Sequence, residues 1–473
     1  LDAVTSPSAA SEQPAAATAV PRLQLPTLDE LPGAIVWLGL PVLAEQLLSF
    51  CVSFFDVYLS GRLNTEATTA IGLAAYVSWL ASMISSLIGT GTAALVARAV
   101  GRGDWHEARQ LAARSLLLAF VLGVGLMLTL WSGASFFTQM LGIQGAARTG
   151  VIEYLRFDAF GQLFACMTLV SAAALRGAGD MKTPLVVLGV TNLVNILVSS
   201  LCTFGYGPIP ALGMRGIVLG TVLAQAVGFL LMLTILLRGL SKLHVQWHDL
   251  QWHRETTARV MRIGGPAALD GLITFTGHFL FLMVISRLSP AGFDGPTFAA
   301  HIIGVRIEAI SYLPAVAWGA ASASLAGRYL GAGQPDLARR TGHIAVRQFL
   351  RYSACITVLF YIAAPAIYHG MHSDPAVAAA GVPAFRWMAA YQIPTTTLII
   401  YMLTLRGAGD TRFPLWCALI SILGVRVPVA WLGGIWFQQG LTGAWFGMGA
   451  DNTLRMLLIS WRYRAGHWLE TKV

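Results

Sequence analysis

The sequence runs to 473 residues, of which 56% are hydrophobic and only 11% charged, and its mean hydropathy is +0.66. An ordinary soluble domain is about 25% charged, so this composition excludes one and calls for a polytopic membrane protein. The net charge of +9 follows from where basic residues fall between apolar runs; it is a topology signal and gives no ground for a nucleic-acid partner.

Residues 1–32, rich in Ala, Ser, Thr and Pro, lack an uninterrupted apolar core and read as a disordered tail, not a signal peptide. Beyond them, apolar runs of roughly 20 residues, the length that crosses about 30 Å of hydrocarbon, recur along the chain. Twelve are expected: 35–58, 68–97, 113–137, 151–175, 184–205, 211–237, 263–286, 297–326, 344–367, 380–404, 414–437 and 440–461. Basic residues cluster after the even-numbered runs. Arg98, Arg102, Arg109 and Arg114 follow the second, Arg176 and Lys182 the fourth, and Arg238, Lys242, Arg254, Arg259 and Arg262 the sixth. Arg328, Arg339, Arg340 and Arg347 follow the eighth, and Arg406 and Arg412 the tenth, whereas odd-numbered loops hold scattered charges such as Arg62, Arg148, Arg215 and Arg287. Short loops rich in Lys and Arg stay in the cytoplasm, so both termini are expected there, with the chain threaded many times through a bacterial inner membrane.

The central stretch 241–262 reads as a cytoplasmic linker. Trp247 and Trp252, set among His244, His248 and His253, suit interfacial anchoring better than metal binding. The five cysteines, Cys51, Cys166, Cys202, Cys355 and Cys417, fall inside or at the edge of spans, where packing is their default role, and show no disulfide or metal spacing.

LRGAGD occurs at Leu175–Asp180 and again at Leu405–Asp410, an offset of 405 − 175 = 230. The same offset carries Arg98 onto Arg328, Gly101 onto Gly331 and Gly103 onto Gly333. Near the start of each half Pro41 faces Pro266 at an offset of 225, and extra residues around "SPAGFDGPT" account for the difference of five. The expected fold is therefore all-α, with twelve transmembrane helices arranged as two six-helix pseudo-symmetric bundles, 33–240 and 263–462, and a short tail 463–473. An even number of crossings sets the halves in the same orientation, the parallel-repeat plan of secondary transporters with a substrate cavity between the halves. The glycines of LRGAGD permit positive φ and a tight turn, and Pro184 or Pro414 opens the next helix. GxGD also surrounds the catalytic aspartate of intramembrane aspartyl proteases. That reading is disfavoured here, because Asp180 and Asp410 lie in basic loops outside the hydrocarbon.

An ionisable residue at mid-membrane costs roughly 2.5–3.5 kcal/mol, so each one in a span is a functional candidate. Glu45 and Asp56 on the first helix are eleven residues apart, about three turns plus 20°, and share a face. Asp270, Thr274 and His278 form a stripe at i, i+4 and i+8 on the seventh helix, and Asp270 is the repeat-mate of Glu45. Glu45 and Asp270 read either as cation-attracting walls facing each other across the cavity or as acids paired with Arg or backbone. Asp158, His301, Arg306, Glu308, Arg426 and Asp451 are further polar intrusions, and a packing role suits His301.

Two six-helix halves, "SFFDVYLSGRL" on the first helix, "GRGDWHEARQ" after the second, and LRGAGD followed by MKTP or TRFP at the ends of helices four and ten together resemble the multidrug and toxic compound extrusion (MATE) family over about residues 33–462. The resemblance implies a cation-coupled antiporter, with H+ or Na+ as the coupling ion and no other cofactor. It is expected to export organic cations, drugs or amphipathic metabolites by alternating access, working as a monomer in the membrane lipid. It places the coupling acid at Asp56, where the alternative is an interfacial aspartate near Arg62, and gives Asp56 the partners Asn195, Thr221 and Ser199. Sodium at Asp56 is the metal site it would allow. Asn192, Gln225, Glu45, Asp270, Thr274, His278 and Gln392 complete the expected substrate cavity. Two departures stand out: Ser199 occupies the place of the DinF-like branch's second carboxylate, and Thr274 and Thr395 stand where NorM-like members carry acids. A lipid-linked saccharide flippase of the same superfamily is the alternative, weakened by acidic first and seventh helices. An intramembrane enzyme is the different-class alternative, and no nucleophile constellation or HExxH supports it.

Overall fold

The computed structural model describes residues 25–471 except 64, 141–144, 207 and 209; of the rest, the side chains of 56, 57, 60, 61, 65–70, 73, 74, 140, 145–147 and 293 are left undescribed. Residues 1–24 of the expected tail thus lie outside the described residues. The first nine spans are single helices: α1 Leu31–Gly61, α2 Thr65–Gly101, α3 Trp105–Met140, α4 Gly145–Gly177, α5 Lys182–Phe204, α6 Met214–Arg238, α7 Arg254–Ser286, α8 Pro296–Gly331 and α9 Pro335–Met371. Except for α5 and α6, which match their expected stretches to within three residues, each overruns the apolar stretch read from the sequence, because the polar residues flanking a span continue its backbone hydrogen bonding into the interface. α7, for example, starts at Arg254 and so takes in the last nine residues of the expected linker. Its first turn is capped by His253, whose Nδ1 accepts from the Thr256 N–H at 3.2 Å.

The tenth span departs from the continuous helix expected over 380–404. It is α10 Pro375–Ala390 followed by α11 Gln392–Gly407, with a bend of 52° between them. Pro394 has no N–H to donate to the Ala390 carbonyl four residues earlier, and its ring would collide with that oxygen. The eleventh span alternates α12 Arg412–Ala418 and α13 Val427–Trp431 with π-helical stretches at Leu419–Arg426 and Leu432–Trp436. Pro428 disrupts its ladder, and Gly433 lets it press backbone to backbone on Gly443 of the last helix, α14 Gly440–Ala465. By length and apolarity ten described helices qualify as spans, eleven with the bent pair. α14 is long enough at 26 residues but carries Asp451, Asn452 and Arg455 at its centre, all buried against other helices.

Both LRGAGD motifs close a helix in the same way. Gly179 and Gly409 adopt φ +81° and +95°, and the Asp180 and Asp410 N–H groups each donate at 2.9 Å to the carbonyl five residues back, on Leu175 and Leu405. One residue before this turn Gly177 packs against the Ala93 backbone, and Gly407 against that of Ala323, its repeat-mate contact. The halves meet most closely at this basic end. A β-carbon on Gly101 would run into the Arg328 carbonyl and one on Gly331 into that of Arg98. Arg98 Nη2 donates to the Ala408 carbonyl at 2.8 Å, and Ser324 Oγ to the Arg176 carbonyl at 2.6 Å, so each half reaches into the other's turn.

Candidate functional site

A cavity of about 510 Å³ lies within the first half, bounded by α1, α2, α4, α5 and α6. Asn192, Asn195, Thr221 and Gln225 all line it, so the residues expected on the fifth and sixth helices converge on one space. Helical spacing explains this: 192 and 195 are one turn apart on α5, 221 and 225 one turn apart on α6. Asn195 Nδ2 donates to Thr221 Oγ1 at 3.2 Å. Three further amide atoms, Asn192 Nδ2, Asn195 Oδ1 and Gln225 Oε1, are buried with no hydrogen-bond partner among the described residues. Unsatisfied buried polar atoms are costly, so three around one cavity mark a place prepared for a polar guest.

Asp158 on α4 lines the same cavity, at 4% exposure. The sequence shows it as an acid inside a span, but assigning it to this site required the packing of α4 against α2 and α6. Its Oδ2 accepts from Ser78 Oγ at 3.2 Å and from Gln162 Nε2 at 3.0 Å, and among the described residues no cation pairs with it. Ser199 does not join them. It is fully buried between α5 and α6, its Oγ donating to the Ile217 carbonyl at 3.4 Å. The Asp56 side chain falls outside the described residues; α1 reaches the cavity through Glu45, Val52 and Ser53.

Glu45 and Asp270 are not opposed cation-attracting walls. Each is taken by the arginine of its own half's LRGAGD motif: Arg176 Nη1 lies 2.8 and 2.9 Å from the two Glu45 oxygens, and Arg406 pairs with Asp270. Of the two readings the sequence left open, pairing with arginine is the one the geometry favours. The first helix of each half passes beside the end of its fourth, where the guanidinium supplies the counter-charge that a carboxylate withdrawn from water requires.

The other expected residues of the second half sit apart from the first-half cavity. Thr274 is half-buried on α7. His278 lies edge-on to Trp79 of α2 at 5.8 Å between ring centroids. Gln392, at the break of the tenth span, is wholly buried; it accepts from Ser311 Oγ at 2.6 Å and donates to Glu308 Oε1 at 3.3 Å. Beside it a charged network fills the space between α11, α14 and the π-helical stretch. Arg426 Nη2 lies 2.6 Å and Arg455 Nε 3.1 Å from Asp451, and Asn452 Nδ2 donates to Thr395 Oγ1 at 3.0 Å. Thr395 is thus a hydrogen-bonded packing residue. His301 accepts from Trp445 Nε1 at 3.1 Å inside the same half.

The MatE family model matches residues 41–201 and 266–432, once in each half. A probable multidrug resistance protein NorM of Thermotoga maritima is 28% identical over 456 residues, 95% of this chain and 95% of its own. The multidrug resistance protein PmpM of Pseudomonas aeruginosa is 26% identical over 88% of this chain and 87% of its own, and an FAD transporter of Shewanella oneidensis 23% identical over 88% and 91%. Among solved structures, the outward-facing conformation of a multidrug resistance MATE family transporter of the MOP superfamily superposes with a TM-score of 0.85 at 21% identity, covering 93% of this chain and 97% of that one.

Proposed function

The chain belongs to the MatE family of membrane transporters, and from that premise we propose that it exports organic cations or cationic amphipathic drugs in exchange for H+ or Na+, with cation and cargo competing for the first-half cavity. The observation that carries this reading is Asp158, a membrane-embedded carboxylate whose donors among the described residues, Ser78 and Gln162, are neutral, in a cavity that also holds three amide atoms with no partner among those residues. An uncompensated carboxylate at such depth is stabilised by any cation that reaches it. Asp56 is proposed as its partner acid: it stands three and four residues after Ser53 and Val52, which line the cavity. Asp158 would then supply the second carboxylate that Ser199 does not, with Asn195 and Thr221 orienting the bound ion.

Relatives named for multidrug and for FAD transport leave the cargo open, and the cavity's charge favours a cation. Asp158, Glu45 and Arg176 sum to −1 − 1 + 1 = −1 before Asp56 is counted. The same sign disfavours a lipid-linked saccharide flippase, which needs a basic cavity for its phosphates. Neutralising the acids with an incoming ion would release the cargo outward. The halves would rock about their contacts as monomers in a bacterial inner membrane, with the basic end and both termini on the cytoplasmic side.

The reading is tested in proteoliposomes by efflux of a cationic dye under an imposed proton or sodium gradient. Asp158→Asn and Asp56→Asn are each expected to lower ion-driven efflux tenfold or more without lowering the melting midpoint. Wild-type efflux in both variants would overturn the assignment, and running the two gradients separately identifies the ion.

A further inference from the structure

At the basic end of the second half is a pocket of about 630 Å³, walled by Arg262 and Ile263 of α7, the turn Gly409–Arg412, Phe413 and Trp416 of α12, and Arg462 of α14. Three arginines face one aspartate there. Asp410 is already held by Arg462, Nε to Oδ2 at 2.9 Å, which leaves Arg262 and Arg412, both exposed and with no acid paired to either among the described residues.

The internal repeat shows what normally occupies this place. The offset of 225 that pairs Pro41 with Pro266 puts Trp37 opposite Arg262, and the offset of 230 puts Lys182 opposite Arg412. In the first half these two side chains satisfy each other, with the Lys182 ammonium 4.2 Å from the centre of the Trp37 ring. In the second half both positions are arginines. Two guanidiniums repel where a cation and a ring attract, and among the described residues no free acid stands beside them to reconcile the charge. Planar guanidinium forks suit a phosphate, which accepts two parallel hydrogen bonds from each.

The surroundings say where the phosphate comes from. Trp416 and Trp461 are 57% and 61% exposed, and Phe413 packs against Trp461 on one side while Arg462 lies over its ring at 5.3 Å. Exposed indoles beside arginines at the end of a span are the belt that lies at the level of lipid headgroups. We propose that this pocket binds the headgroup of an anionic phospholipid from the leaflet at the basic end. Arg262 and Arg412 grip the phosphate, and Phe413 and Trp416 lie against the glycerol and upper acyl chain.

The test uses the full chain in detergent, with dioctanoyl phosphatidylglycerol, dioctanoyl phosphatidylcholine and inorganic phosphate titrated separately while the melting midpoint is followed. Phosphatidylglycerol is expected to raise the midpoint saturably, with the other two giving little. The double variant Arg262→Gln/Arg412→Gln is expected to keep its lipid-free midpoint and to bind phosphatidylglycerol about tenfold or more weakly, whereas Arg262→Lys/Arg412→Lys loses less. An equal response to phosphatidylcholine, a full response to phosphate alone, or unchanged phosphatidylglycerol affinity in the double variant would each overturn the proposal. Should that variant fail to fold, Arg412→Gln alone is read the same way, with a few-fold weakening expected and wild-type affinity overturning it.

Discussion

Glu45 and Asp270 are visible in the sequence as acids inside spans and as repeat-mates; what the sequence hides is that each is spoken for. Their partners, Arg176 and Arg406, lie 131 and 136 residues further on, and no local periodicity connects residues so far apart. A signal was nonetheless present. The acid and the arginine both recur in the second half, and a pair of opposite charges duplicated together is what a buried ion pair leaves in a repeated sequence. The two pairs differ in exposure: the Asp270 side chain is 3% exposed and that of Glu45 18%. Breaking a buried pair strands a charge at a cost of about 3–5 kcal/mol, while a partly solvated pair costs less to break. Asp270→Asn should therefore lower the melting midpoint in detergent clearly more than Glu45→Gln. Asp270→Asn with Arg406→Gln should recover part of the loss, since no bare charge remains. Equal effects of the two single variants would contradict this account.

At the scale of elements, eleven of the expected spans answer to length and apolarity, because crossing a bilayer demands both whatever the tertiary structure, and the last, α14, is long enough but polar at its centre. The break in the tenth span could not be read this way, although Pro394 was in plain view. Prolines at 41, 266, 314, 365 and 383 sit inside helices with no comparable break, so a proline signals a bend only where neighbours take up the freed groups. Here Gln392 is held by Ser311, Glu308 and the Met388 carbonyl, which fixes the bend. α10 and α11 have 16 residues each, about 24 Å apiece, so straightening a bend of 52° would lengthen the span by about 5 Å. Pro394→Ala should show most of that increase between spin labels at positions 376 and 402, on α10 and α11, in a cysteine-free background. An unchanged distance would mean that the Gln392 contacts, and not the proline, hold the bend. The charged network around Asp451 follows the same logic: Arg426 and Asp451 stand out in the sequence as polar intrusions, Asn452 and Arg455 do not, and their association depends on the crossing of the π-helical stretch and α14, which Gly433 and Gly443 permit.

For the whole molecule, the two halves are joined at the basic end by contacts that obey the internal repeat, Gly101 on Arg328 and Gly331 on Arg98, with Arg98 reaching the second LRGAGD turn and the Arg328 guanidinium packed on Gly179 in the first. The linker braces the same place through Lys242, whose Nζ donates to the Gly179 carbonyl at 3.4 Å; burial, aided by the nearby Arg328 charge, holds its ammonium below the usual lysine range. The repeat thus explains more than a duplicated fold. If the halves rock as proposed, this seam must open and reclose, which breaks the Arg98 and Ser324 hydrogen bonds across it and parts backbone surfaces packed directly through glycine. Any β-carbon in it acts as a wedge. Ser324 lies in the seam at 5% exposure, so Ser324→Cys, in a background where the exposed Cys51 and Cys355 are serine, reports its opening. Adding Gly101→Val should raise the rate of labelling by a membrane-impermeant maleimide about tenfold or more, and Gly331→Val should do the same through the mirrored contact. Gly125→Ala, where an added β-carbon meets nothing within 4 Å, should leave the rate unchanged. If neither wedge speeds labelling, the seam is not the surface on which the halves separate.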